Sequence, residues 1–151
     1  VSSIRITRAT AEDAFALAAL VLRADLERGA SGRTGFIDEY ADAWLAERDR
    51  RPAWIATEPD GDPAGLISTS VVRRLPSLRR PASSWMHVSL LYVVPNQRGQ
   101  GLGEQLLRRM IVWGEGNGVD RFQLNAVPEA RTLYERVGFT APDPRLMERR
   151  R

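Results

Sequence analysis

The spacing of apolar positions changes several times along the chain, and each change marks an element. Ile4 and Ile6 alternate about Arg5, the period-two pattern of a short strand. Thr10, with Asp13 three residues on, has the form of a helix start. Phe15, Leu17, Ala18, Leu20, Val21, Leu22 and Leu26 then recur at helical spacing until the stretch from Gly29 to Gly35 interrupts them. A second helix is expected from about Gly35 to Arg50, with Phe36, Ile37, Tyr40, Trp44 and Leu45 on its inner side, and Pro52 beyond its end. Ala53–Thr57 and Ala64–Val72 read as the two strands of a hairpin around the turn-forming run Glu58–Pro63. A basic, proline-containing loop, Arg73–Ser83, leads into the longest expected strand, Trp85–Val94, which Pro95 closes.

The second half repeats the alternation of strand and helix. Leu102, Leu106, Met110 and Trp113 form one stripe, with Leu107 and Ile111 beside it, so a helix is expected over Gly101–Gly116, stopped by Gly114, Gly116 and Gly118. Arg121–Ala126 reads as a strand with Phe122 and Leu124 on one face. Pro128 suits a first helical turn; Glu129–Arg136 is a short helix that Gly138 ends, and short strands are expected at Phe139 and over Arg145–Glu148. The order is one strand, two helices, a β-meander, then helix, strand, helix, strand. That is an α/β chain of the α+β kind, a mixed sheet with helices on both faces, in a single domain spanning residues 1–151.

Composition narrows the chemistry. The chain has 151 residues and no cysteine, which excludes disulfides, thiolate metal sites and a cysteine nucleophile. Its one histidine, His87, excludes a histidine-rich metal centre, and no metal is expected. No apolar run approaches the ~18 residues that span a bilayer, and no signal peptide stands at the start, so a cytoplasmic protein with no membrane partner is expected. All 22 basic residues are arginine, yet the net charge is only +3. The arginines are scattered except in the Arg73–Arg80 loop and at Arg149–Arg151. That scatter argues against a nucleic-acid groove and leaves room for a phosphorylated small molecule.

The segment with the most specific chemistry is Leu90–Leu107, LLYVVPNQRGQGLGEQLL. A buried strand ends at a proline, and a glycine-rich turn opens directly into an amphipathic helix. The first N–H groups of such a helix lack internal partners and favour an anion. Gly99, Gly101 and Gly103 remove side chains, and Arg98 adds a forked cation, an arrangement suited to a diphosphate. A Walker A loop needs lysine, and this chain has none. The dinucleotide pattern needs a third glycine where Glu104 stands, and an acid at the end of the next strand where Asp120 instead precedes it.

Arg98-x-x-Gly101-x-Gly103, preceded by Val93, Val94 and Pro95, resembles the acyl-CoA motif of the GNAT superfamily of N-acetyltransferases. Ala130–Phe139, ARTLYERVGF, resembles that family's second signature, and the opening IRITRATAEDAFALAAL resembles its usual start. The motif-bearing likeness covers about Val88–Phe139. It implies a mostly antiparallel sheet and acetyl-CoA as acyl donor to a primary amine, by direct attack in a ternary complex. It implies that the segment Arg98, Gly99, Gln100, Gly101, Leu102, Gly103 and Glu104 holds the diphosphate. The backbone of Tyr92, Val93 and Val94 would meet the pantetheine arm, with Asn125 and Ala130 near the cofactor and Tyr134 protonating the leaving thiolate. The sequence departs from the family at two places: Val127 stands where many members have asparagine, and Leu90 where many have a glutamate base. The base is then His87, or water, or a carboxylate of the second helix such as Asp38, Glu39 or Asp42. The acceptor would be a small-molecule or peptide amine entering between the first two helices and the Arg73–Ser83 loop, and the enzyme a monomer or homodimer. The alternative function is a module that binds acyl-CoA without turnover.

Overall fold

The structure, a computed structural model, describes residues 3–151. Five strands form one sheet in chain order: β1 (Arg5–Arg8), β2 (Ala53–Thr57), β3 (Pro63–Arg74), β4 (Ser83–Val93) and β5 (Val119–Leu124). The first three pairings are antiparallel and β4–β5 is parallel, so the sheet is mixed and mostly antiparallel. The helices are α1 (Ala14–Glu27), α2 (Phe36–Ala46), α3 (Leu102–Gly116) and α4 (Arg131–Arg136).

Local chemistry accounts for the boundaries. The Asp13 carboxylate accepts the Thr10 N–H at 2.8 Å, and a 3-10 turn over Ala11–Asp13 precedes α1 proper. Helix α1 buries Ala14, Leu17, Ala18, Leu20 and Ala24, but Phe15 is 58% exposed and Leu26 46% exposed. The helical period therefore finds the element, while those two side chains lie outside its buried stripe. Helix α2 is shorter than expected because a separate 3-10 turn, Arg48–Arg50, follows it. Trp44 closes this region by donating its indole N–H to the Arg51 carbonyl at 3.0 Å.

The two sheet faces can be read from alternation along β4. A β-bulge at Ser89 separates the pair Thr69↔Val88 from the pair Ser68↔Leu90. The extra residue keeps Met86, Val88, Leu91 and Val93 on one face. Met86 meets α3 at Gly114, and Leu91 and Val93 meet it at Gly103. The other face carries His87, Leu90 and Tyr92, and Tyr92 reaches α1. Helices thus cover both faces. On the α3 side, Trp54 and Trp113 pack edge to face at 5.8 Å with the Arg8 guanidinium over both rings. Leu106, Leu107 and Met110 are fully buried there, each contributing about 1.5–3 kcal/mol of burial. Gly114 lies inside α3 rather than stopping it, and the helix runs on to Gly116.

The expected strands at Phe139 and Arg145–Glu148 are not formed. The Phe139 N–H closes the end of α4 onto the Tyr134 carbonyl at 3.1 Å, and its ring packs on Tyr134. Pro142 and Pro144 have no N–H to give a sheet, and Asp143 accepts the Arg145 N–H at 2.8 Å in a local turn.

Candidate active site

Strand β5 stays with β4 only as far as Val88↔Leu124; β4 continues to Val93 without it. Beyond Val88 the sheet therefore presents an unpaired main-chain edge. The Val94 N–H donates to Ala64 of β3 at 2.9 Å. Alternation then turns the main-chain groups of Tyr92 to β3 as well, and those of Leu91 and Val93 to the open side. Of the expected trio, Val93 alone turns its backbone to this edge, and only its N–H is open, since its carbonyl accepts Arg98. Leu91, which sequence reading passed over, offers a free set.

The open edge runs into a turn and then into α3. Pro95–Gln97 forms a 3-10 turn, in which the Arg98 N–H is spent on the Pro95 carbonyl at 3.3 Å. Gly99 and Gly101 have φ of +80° and +82°, where a side chain is strained, and no atom lies within 4 Å of where their Cβ would stand. The first helical bond runs from Gln105 N–H to the Gly101 carbonyl, leaving the N–H groups of Leu102, Gly103 and Glu104 without helical acceptors. Gly103 faces α4, where a Cβ would make only an ordinary contact, 3.6 Å from Leu133. The Glu104 side chain turns outward, bonded to Arg108 at 3.1 Å and to Arg136 at 3.2 Å. Those two arginines, Arg108 first, hold its carboxyl below the usual carboxylate range.

The Arg98 side chain folds back along β4. Its Nε donates to the Val93 carbonyl at 2.9 Å and its Nη2 to Glu27 Oε2 at 2.6 Å. Glu27, the last residue of α1, also accepts the Tyr92 hydroxyl at 2.9 Å. The guanidinium lies 5.5 Å from the centre of the Tyr92 ring, within cation–π range. The bond from Arg98, then that from Tyr92, keeps the Glu27 carboxyl below its ordinary range. Burial, with Glu27 second, raises the Tyr92 phenol.

Tyr134 stands mid-way along α4, one residue after Leu133, which meets α3 at Gly103. Burial pushes its phenol above the ordinary value, an effect partly offset by the Arg28 charge just past α1. Its ring meets Phe139 at 6.0 Å. Asn125 is exposed just beyond the end of β5, and Ala130 precedes the first residue of α4. His87 is half-buried on the α1 side of β4, opposite Ser70, whose hydroxyl accepts Arg51 at 3.3 Å. The bulge at Ser89 puts His87 on the same face as Leu90, the place where many members of the resembled family carry glutamate. Asp38, Glu39 and Asp42 are exposed on α2, and Glu39 is paired with Arg33 at 2.5 Å. Within the basic loop, Arg74 is neutralised by Asp120 at 2.6 Å.

Comparison with known proteins bears on the family and the fold. The profile of the Acetyltransferase (GNAT) family matches residues 19–139. Glucosamine 6-phosphate N-acetyltransferase 1 of Oryza sativa subsp. japonica is 36% identical over 53 residues, which is 35% of this chain and 32% of that protein. A solved structure described as a predicted acetyltransferase with acetyl-CoA from Clostridium acetobutylicum superposes with a TM-score of 0.79 at 18% identity, covering 97% of this chain and 96% of that one. A ribosomal-protein-alanine N-acetyltransferase from Brucella melitensis biovar Abortus 2308 superposes with a TM-score of 0.72 at 22% identity, covering 97% and 99%. At those identities the structural likenesses establish the fold. With the profile match across most of its length, the chain belongs to the acetyltransferase (GNAT) family.

Proposed function

We propose that the protein transfers the acetyl group of acetyl-CoA to a primary amine. The observation that carries this reading is the continuity of two surfaces. The main-chain edge at Leu91 and Val93, open except for the Val93 carbonyl that Arg98 holds, leads directly into the glycine turn and the free N–H groups of Leu102–Glu104. An amide-bearing arm followed by a diphosphate matches that sequence of donors and acceptors. The open space at Gly99 and Gly101 fits the same ligand.

In this reading the neutral amine attacks the thioester carbonyl carbon directly. The carbon–sulfur bond breaks, its electron pair leaves on sulfur, and Tyr134 gives that sulfur its proton. Burial keeps the Tyr134 phenol protonated through neutral pH, as a general acid requires. His87 takes the amine's surplus proton, through water, from the α1 face of β4; among the described residues its ring has no hydrogen-bond partner that would compete. No acyl-enzyme forms on sulfur, since the chain has no cysteine. The relatives' names point to acceptors as different as an amino sugar phosphate and a ribosomal protein. The acceptor proposed here is accordingly an amine class, small-molecule or peptide, with cytoplasmic residence and no nucleic-acid role. Among the described residues no helix is long and apolar enough to cross a membrane.

One observation favours the rival reading, an acyl-CoA module without turnover: β4 carries no acidic residue. The discriminating experiment incubates the protein with acetyl-CoA and a panel of amines and follows release of free thiol. Because the chain has no cysteine, every thiol detected is CoA. Release that depends on an amine supports transfer; acetyl-CoA binding with no release for any amine supports the module. Acetyl-CoA should also raise the melting temperature, and equal stabilisation by ATP would overturn the cofactor assignment.

A further inference from the structure

We propose that Glu27 is a positioning residue for acetyl-CoA, acting through Arg98; the proposal rests on the acetyl-CoA reading above. Three elements that the sequence separates meet at this carboxylate. One oxygen accepts the Tyr92 hydroxyl of β4 at 2.9 Å, and the other accepts Arg98 of the glycine turn at 2.6 Å, while Glu27 itself ends α1. Arg98 closes the ring by donating to the Val93 carbonyl at 2.9 Å and lying over the Tyr92 ring.

The consequence is geometric. Arg98 is the residue at which the 3-10 turn gives way to the two left-handed glycines. Its guanidinium, held by Val93 on one side and Glu27 on the other, fixes the direction in which the backbone leaves β4. The N–H groups that follow are then aimed before any anion arrives, and a ligand need not order them. The same bonds hold the end of α1 against β4, immediately before the glycine-interrupted stretch 28–35 that leads to α2.

The alternative role, that Glu27 replaces the missing glutamate as base, does not fit its surroundings. Both carboxylate oxygens are engaged, and Arg98 and Tyr92 hold the group below its ordinary range, which makes it a poor proton acceptor at neutral pH. The Arg98 side chain is 46% exposed, so replacing Glu27 leaves no buried charge behind.

The test is a double-mutant cycle read by acetyl-CoA affinity, measured calorimetrically without an acceptor. Glu27→Gln and Arg98→Gln should each weaken binding about tenfold, and the double variant should be no weaker than Arg98→Gln alone, since one acts through the other. Glu27→Asp, which keeps the charge, should recover part of the loss. A merely structural Glu27 would lower the melting temperature without this coupling. Unchanged or tighter binding by Glu27→Gln, or multiplying effects in the double variant, overturns the proposal alone. Absence of acetyl-CoA binding by the unmodified chain overturns the cofactor reading and this proposal together.

Discussion

Tyr134 and Gly101 carry the sharpest residue-scale expectations. Tyr134→Phe keeps the ring that packs on Phe139 but removes the proton donor. Acetyl-CoA affinity should change little, while turnover falls roughly 10- to 1000-fold. Because burial raises the phenol, its ionisation should limit turnover only above about pH 10, the ordinary tyrosine value. A Tyr134-dependent fall in rate at pH 8 would contradict the assignment. Gly101 separates charge from strain. Gly101→Ala adds a side chain at φ +82° into open space, at a cost of about 1–2 kcal/mol, and should bind acetyl-CoA with modest loss. Gly101→Asp carries the same strain plus a negative charge where the diphosphate is proposed to lie. Binding should be abolished in a protein that still folds; similar affinities for the two variants would move the phosphate site elsewhere.

At the scale of elements, the sequence foretold which segments are helix and strand better than which side chains they bury. The period of Leu102, Leu106 and Met110 placed α3 correctly because an amphipathic helix repeats one physical demand many times. Gly114 was misread as a stop signal, since local chemistry cannot show that Phe122 of β5 needs its space. A Cβ there would stand 2.7 Å from the Phe122 ring and 3.1 Å from the Met86 sulfur. Gly114→Ala should therefore lower stability by about 1–3 kcal/mol despite the better helix propensity of alanine, a loss readable in urea denaturation. A stability gain would mean that the α3–β5 contact is looser than described. The glycine turn was legible because its chemistry is contiguous. The bulge at Ser89, the open groups of Leu91 and the bonds of Glu27 were not, because each depends on which residues another element brings alongside.

Over the whole molecule, Glu27, Glu104 and Asp120 tie distant segments together while Asp143 closes a local turn, and acid should loosen all four. Glu27, Glu104, Asp120 and Asp143 are all held below their ordinary values, chiefly by hydrogen bonds from arginine. A depressed folded-state pKa contributes stability that is present above the unfolded value, about 4, and is lost as pH falls through the folded one. The melting temperature should thus be flat near neutrality and drop below about pH 4. Glu27, Asp120 and Asp143 are exposed and Glu104 is half-buried, so added salt should shrink that drop. An acid limb insensitive to salt would assign it to other groups. Lysine is absent throughout, so the chain offers no side-chain amine to its own proposed chemistry. Acetyl incorporation in an assay can then be counted against added acceptor, with no side-chain amine of this sequence competing.

The early parting of β4 and β5 sets clocks as well as a shape. A backbone amide inside a sheet trades its hydrogen for deuterium only when the sheet opens, whereas one facing an unpaired edge trades continually. Ladder pairing places the main chain of Tyr92 against β3, and that of Leu91 and Val93 toward the gap. Isotope uptake along this one strand should alternate residue by residue: rapid at Leu91 and Val93, slow at Tyr92 and Val94. A ligand that lays its own amides along the edge would erase the alternation, since it supplies the missing neighbour. Slowing confined to Leu91, Val93 and the amides of the glycine turn would report occupancy at single-residue detail before any acceptor is known. Unchanged uptake at those positions under saturating acetyl-CoA would show that the gap is not where the donor lies.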